Sequence, residues 1–99
     1  SAMQEVSPKL AEIAADVLFG DVWERPELSK RDRSMITVAN LVALYRTDQL
    51  RGHIGRALDN GVTKEEIGEI ILHTAFYAGV PVGANAVRVA KEVFDERGI

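Results

Sequence analysis

Two histidines, a scatter of arginines and no cysteine set the chemistry open to this 99-residue chain. His53 sits among Leu50, Ile54, Ala57 and Leu58, apolar residues at helical spacing, and projects near Leu50 and Ala57. An imidazole in an aliphatic seam must be hydrogen-bonded or have a job, because burying an unsatisfied polar group is costly. Its ordinary pKa lies close to neutrality, which suits it to exchange protons at physiological pH. Gly52 and Gly55 flank it, and each costs roughly 1 kcal/mol inside a helix relative to alanine. Gly55 is read as leaving room at the His53 edge for another helix or a ligand. The competing reading is a structural histidine bonded to a backbone carbonyl or a carboxylate.

His73 has Glu69 four residues before it and Tyr77 four after, so the three share one helix face. The plainer reading of that stripe, an exposed or interfacial Glu–His–Tyr row, is preferred. No two-histidine metal spacing with a clear third ligand exists, so no metal is expected. Lys30-Arg31-Asp32-Arg33 is a basic run at a helix start. A guanidinium fork fits a carboxylate, and Arg33, nearest the apolar body of the helix, is the member expected to point inward. Arg51 and Arg88 are further anion-binding candidates, and Asn85 shares a helix wall with Arg88. No glycine-rich phosphate loop is present.

These residues must be carried by helices, because no strand pattern competes. Ser7 and Pro8 open a first helix with an apolar stripe of Leu10, Ile13, Ala14, Val17 and Leu18, and Gly20 lies beyond its end. A connector follows in which Trp23 and Leu28 are expected to anchor on the core. Ser29 caps a second helix expected to run to about Tyr45. A third, from Thr47-Asp48 to a stop at Gly61, carries His53. Thr63 and Glu66 form a capping box for the fourth, whose buried face is read as Ile67, Ile70, Ile71, Thr74 and Ala78. Gly79-Val80-Pro81 breaks it. A fifth presents Val82, Ala86, Val89 and Val93, widened by Val87 and Phe94. The expected fold is all-α, about five helices in a single domain over 4–99, with Ser1-Ala2-Met3 read as a tag scar.

The net charge of −3 with interspersed signs argues against a nucleic-acid partner. No signal-peptide pattern or membrane-length apolar run is seen. The absence of cysteine excludes disulfides, thiolate zinc sites and thiol catalysis, and fits a reducing cytoplasm. So much aliphatic helix surface on so short a chain points to an oligomer.

Four stretches in order resemble the carboxymuconolactone decarboxylase family. They are Asp21-Val22-Trp23 with Arg25-Pro26 and Leu28-Ser29; Arg31-Asp32-Arg33-Ser34 leading into Ile36-Thr37-Val38-Ala39; Leu50-Arg51-Gly52-His53 followed by Ala57 through Ile67; and Tyr77-Ala78-Gly79-Val80-Pro81 with Asn85-Ala86. The resemblance implies an alkylhydroperoxidase-D-like helical bundle assembled as a homotrimer or homohexamer. It also implies a cofactor-free lyase that converts 4-carboxymuconolactone to 3-oxoadipate enol-lactone, with His53 at the family's histidine position as proton donor. The peroxidase branch carries a Cys-x-x-Cys pair before that histidine. The corresponding positions here are Arg46 and Gln49, so thiol peroxidase chemistry is not expected. From residue chemistry, Glu66 or Tyr77 is expected to orient the proton relay, and Arg33, Arg51 and Asn85 to bind a carboxylate substrate. The alternative is a non-enzymatic, oligomeric small-molecule-binding member of the same fold.

Overall fold

Local capping chemistry decides where the helices begin and end. The computed structural model describes all 99 residues, as α1 Ala2–Val6, α2 Pro8–Ile13, α3 Lys30–Ala43, α4 Thr47–Asp59, α5 Lys64–Ala78 and α6 Val80–Arg97, with no strand. The expected all-α fold is therefore observed, with one helix more than expected. The extra one is the short α1, which begins inside the stretch read as a tag scar and is capped by the Ser1 side chain. Two compact units are resolved, Ser1–Lys30 and Arg31–Ile99. No helix is long and apolar enough to cross a membrane.

In the first unit α2 starts with Pro8 at its first position, where a missing N–H costs nothing. The winding then widens into a π-type turn over Ala14–Phe19 and stops at Gly20. A Cβ on Gly20 would meet the Asp16 carbonyl oxygen at 2.7 Å, so glycine is required there. A short 3₁₀ turn, Val22–Glu24, brings the Trp23 ring to 6.1 Å from that of Phe19. Trp23 is buried beside Phe19, whereas Leu28, the other expected anchor, is exposed. The stripe of Leu10, Ile13, Val17 and Leu18 is amphipathic, yet all four remain exposed.

The second unit holds the core. Val38 and Val42 from α3, Leu50, Ile54 and Ala57 from α4, Ile67 and Ile71 from α5, and Ala86, Val89 and Val93 from α6 pack into one cluster with Val62. α6 packs against both α4 and α5. Both reciprocal bonds of the Thr63–Glu66 capping box are present. At the end of α4, Gly61 (φ 95°) lets the Val62 N–H reach the Ala57 carbonyl at 2.9 Å. α3 ends the same way without a glycine: Tyr45 takes φ 58° while the Arg46 N–H reaches the Leu41 carbonyl. The helix therefore stops at Ala43, short of the expected Tyr45, because the chain accepts a left-handed tyrosine. Gly79 (φ 113°) separates α5 from α6, as the Gly-Val-Pro break predicts. The expected faces hold at Ile67, Ile71, Thr74, Ala86, Val89 and Val93, but Ala78 and Val87 are exposed.

Candidate active site

Asn60, the residue that caps the end of α4, lies seven residues beyond His53. Its side-chain amide donates to the Ser34 hydroxyl at 3.0 Å, joining the end of α4 to α3. Ser34 is 1% exposed and lies in line with Val38 and Val42, so this hydrogen bond sits at the edge of the core. His53 is half-buried and its Nδ1 is shielded from solvent. Arg33, the neighbour of Ser34 in sequence, is also half-buried, with its Nε shielded. The stretch where the end of α4 meets α3, called the α3–α4 seam below, is joined by the Asn60–Ser34 contact, with His53 half-buried on α4 and Arg33 half-buried on α3.

The electrostatics of the seam favour a neutral imidazole. Burial pushes the His53 pKa below its ordinary value, and the Arg56 guanidinium, three residues along α4 on a neighbouring face, pushes it the same way. In this state one ring nitrogen donates and the other accepts. Such a group gains a proton readily once a negative charge approaches.

The lower end of the seam is locked by Arg31. Its Nε donates to the Gly61 carbonyl at 3.3 Å, and its guanidinium is ion-paired with Glu66. Glu66 also accepts from the Thr63 N–H at 2.9 Å. The Arg31 hydrogen bond and charge, with help from Thr63, hold the Glu66 carboxyl below the usual glutamate range. Glu66 is therefore an anion with two partners, tying α3, the α4–α5 turn and the start of α5 together.

The remaining candidates lie elsewhere. Arg51 and Gly55 are each two residues from His53, about 200° around the helix. Both face α6. Arg51 is ion-paired with Glu92 and reaches Glu96 at 3.4 Å. The Gly55 carbonyl accepts from Arg97 Nη2 at 3.1 Å, and Arg97 also pairs with Asp59 at 2.9 Å. A Cβ on Gly55 would lie 2.9 Å from that guanidinium nitrogen. The close approach expected at Gly55 exists, but it admits Arg97 from α6 and not a group at the His53 edge. These residues line a polar groove of about 360 Å³ behind the helix. Tyr77 is 82% exposed and its ring lies 5.1 Å from that of His73. The Asn85 amide donates to the Pro81 carbonyl within α6 at 3.0 Å. Of the six residues singled out by sequence, His53 on α4 and Arg33 on α3 have half-buried side chains. Glu66 closes its end, and Arg51, Tyr77 and Asn85 belong to other surfaces.

Three contributors were missed. Ser34 carried a signal, a polar residue in the i, i+4, i+8 line of Val38 and Val42. Asn60 read only as part of a turn, and Arg31 only as one of a basic run.

Residues 8–92 match the model of the carboxymuconolactone decarboxylase family. The chain is 48% identical over 81 residues to the 4-carboxymuconolactone decarboxylase of Acinetobacter baylyi, covering 82% of this chain and 60% of that protein. It is 33% identical over 85 residues to a nitrosuccinic acid decarboxylase of Metarhizium robertsii, covering 86% of this chain and 59% of that protein. The chain thus spans about three fifths of the length of these relatives. With a family match across most of its length and a half-identical relative, the chain belongs to the carboxymuconolactone decarboxylase family.

Proposed function

We propose that this domain decarboxylates a small, electron-poor carboxylic acid without a cofactor, with 4-carboxymuconolactone as the first candidate. The observation that supports it best is His53, half-buried on α4 with its Nδ1 shielded from solvent. The two relatives named as decarboxylases support the reaction class. A lactone carbonyl and a nitro group can each take up an electron pair, so substrates of this kind bring their own electron sink.

In this reading Arg33 holds a substrate carboxylate in a forked contact. The arriving anion reverses the balance at His53, because a nearby negative charge favours the imidazolium. The carbon–carboxylate bond breaks, carbon dioxide leaves, and the electron pair spreads into the unsaturated lactone. His53 then delivers its proton to carbon, giving the enol-lactone, and regains one from water. Glu66 keeps Arg31 and the helix ends in place. Arg51, Tyr77 and Asn85 contribute from surfaces completed by another subunit.

A homotrimer or homohexamer belongs to this proposal. Phe76, Tyr77 and Val80 are 80%, 82% and 71% exposed, an apolar ridge at the end of α5 of the kind that subunit contacts cover. The proposal also places the protein in the cytoplasm, in keeping with a chain free of cysteine.

The test is carbon dioxide release from 4-carboxymuconolactone and, separately, from nitrosuccinate. Release from either supports the reaction class and selects the substrate. Release from neither overturns the proposal and leaves the family assignment intact.

A further inference from the structure

α3 and α5 leave a groove of about 380 Å³ between them. Met35, Ile36 and Ala39 of α3 and Ile70 of α5 form its apolar floor, and Glu69 and His73 of α5 stand at its rim. Ile36 is 48% exposed, so the floor is accessible. Glu69 and His73 are one helical turn apart and face the same way. The Tyr77 ring, tilted 39° against His73, restrains the imidazole from the far side. The residues of the seam, His53, Arg33, Ser34 and Asn60, take no part in this groove.

The geometry points to a second ligand site here, selective for small aromatic molecules bearing a hydroxyl or amino donor. Three features specify that class. A floor of methionine and aliphatic side chains takes a flat ring, with the Met35 sulfur held by Arg31 Nη1 at 3.8 Å and its methylenes facing the groove with Ile36 and Ala39. The volume accommodates one ring, or two fused, as pockets for small ligands do. The rim carries a carboxylate, an acceptor only, beside an imidazole that can donate or accept. A phenol or an aromatic amine satisfies the carboxylate. An aromatic carboxylate places like charge against Glu69. The site therefore prefers the opposite charge from the one proposed for the His53 seam, and it stands or falls independently of the decarboxylase reading.

The chain has only two histidines, so proton NMR of the imidazole Cε1–H groups reads the two sites separately. The experiment titrates the full chain with p-cresol, tyramine and 4-methylbenzoate. p-Cresol is expected to shift the His73 resonance saturably while leaving that of His53 in place. Tyramine should bind at least as tightly, and 4-methylbenzoate, with a carboxylate where p-cresol has its hydroxyl, roughly tenfold more weakly, the scale of one like-charge contact near a surface. Glu69→Gln, on an exposed helix position, should remove that discrimination while p-cresol still binds. Ile36→Trp should fill the floor and abolish the response. An unmoved His73 resonance, equal binding of all three probes, or binding that survives Ile36→Trp would each overturn the proposal. A His73 signal that depends on protein concentration and ignores every probe would also overturn it, assigning the groove to a second copy of the chain.

Discussion

The two faces of α4 are built on opposite principles. The face toward α6 is fully committed: Arg51 engages Glu92 and Glu96, and Arg97 engages Asp59 and the Gly55 carbonyl. Its charges neutralise one another, and Gly55 exists so that Arg97 can lie against the backbone. The face toward α3 carries a shielded neutral imidazole and, at Ser34–Asn60, one buried polar contact. On the α6 side ion pairing engages both Arg51 and Arg97. An arginine's value to a site thus depends on what else its fork holds.

Four changes test this contrast, in falling order of effect. Arg33→Ala should lower kcat/KM about ten- to hundredfold, chiefly through KM, as loss of a charge-assisted contact does; unchanged kinetics would remove Arg33 from the substrate. Ser34→Ala strands the Asn60 amide at the core edge and should cost about 1–3 kcal/mol in urea unfolding. A neutral result there would mean the seam is not held by that bond. Gly55→Ala gains up to about 1 kcal/mol of helix propensity but displaces the flexible end of Arg97, so stability should change little and turnover not at all. A loss of turnover would join the two faces functionally.

The smallest effect is in pH. Because the His53 pKa is held below 6.5 in the folded chain, the unfolded chain takes up the proton first as pH falls. Its contribution is therefore complete above pH 6.5 and is lost as pH drops through the folded value. Glu66, held below 4.5, adds a second decline of the same sign at lower pH. His53→Gln should abolish the upper decline in thermal unfolding and leave the lower one.

Much of the architecture could be read from local signals. The capping box at Thr63, the stop at Gly61 and the break at Gly79–Pro81 are short-range and unambiguous, so α4 and α5 fell where expected. Tyr45 escaped because a left-handed tyrosine leaves no mark in the periodicity. At the site, spacing located the half-buried His53 but not its surroundings. Helical period says which residues share a face, not which helix that face meets, so Gly55 and Arg51 were grouped with His53 although α6 takes them. The Arg31–Glu66 pair spans 35 residues and Asn60–Ser34 spans 26. Neither is visible until α3 is laid beside the turn after α4.

The most direct test compares turnover of 4-carboxymuconolactone by the wild type, His53→Ala and Arg51→Ala, all shown by circular dichroism to be folded. The expected result is a loss of about 10²-fold or more for His53→Ala, the usual scale of general acid catalysis, with Arg51→Ala close to wild type. Retained turnover in His53→Ala, or an equal loss in Arg51→Ala, would contradict the assignment of chemistry to the α3 face.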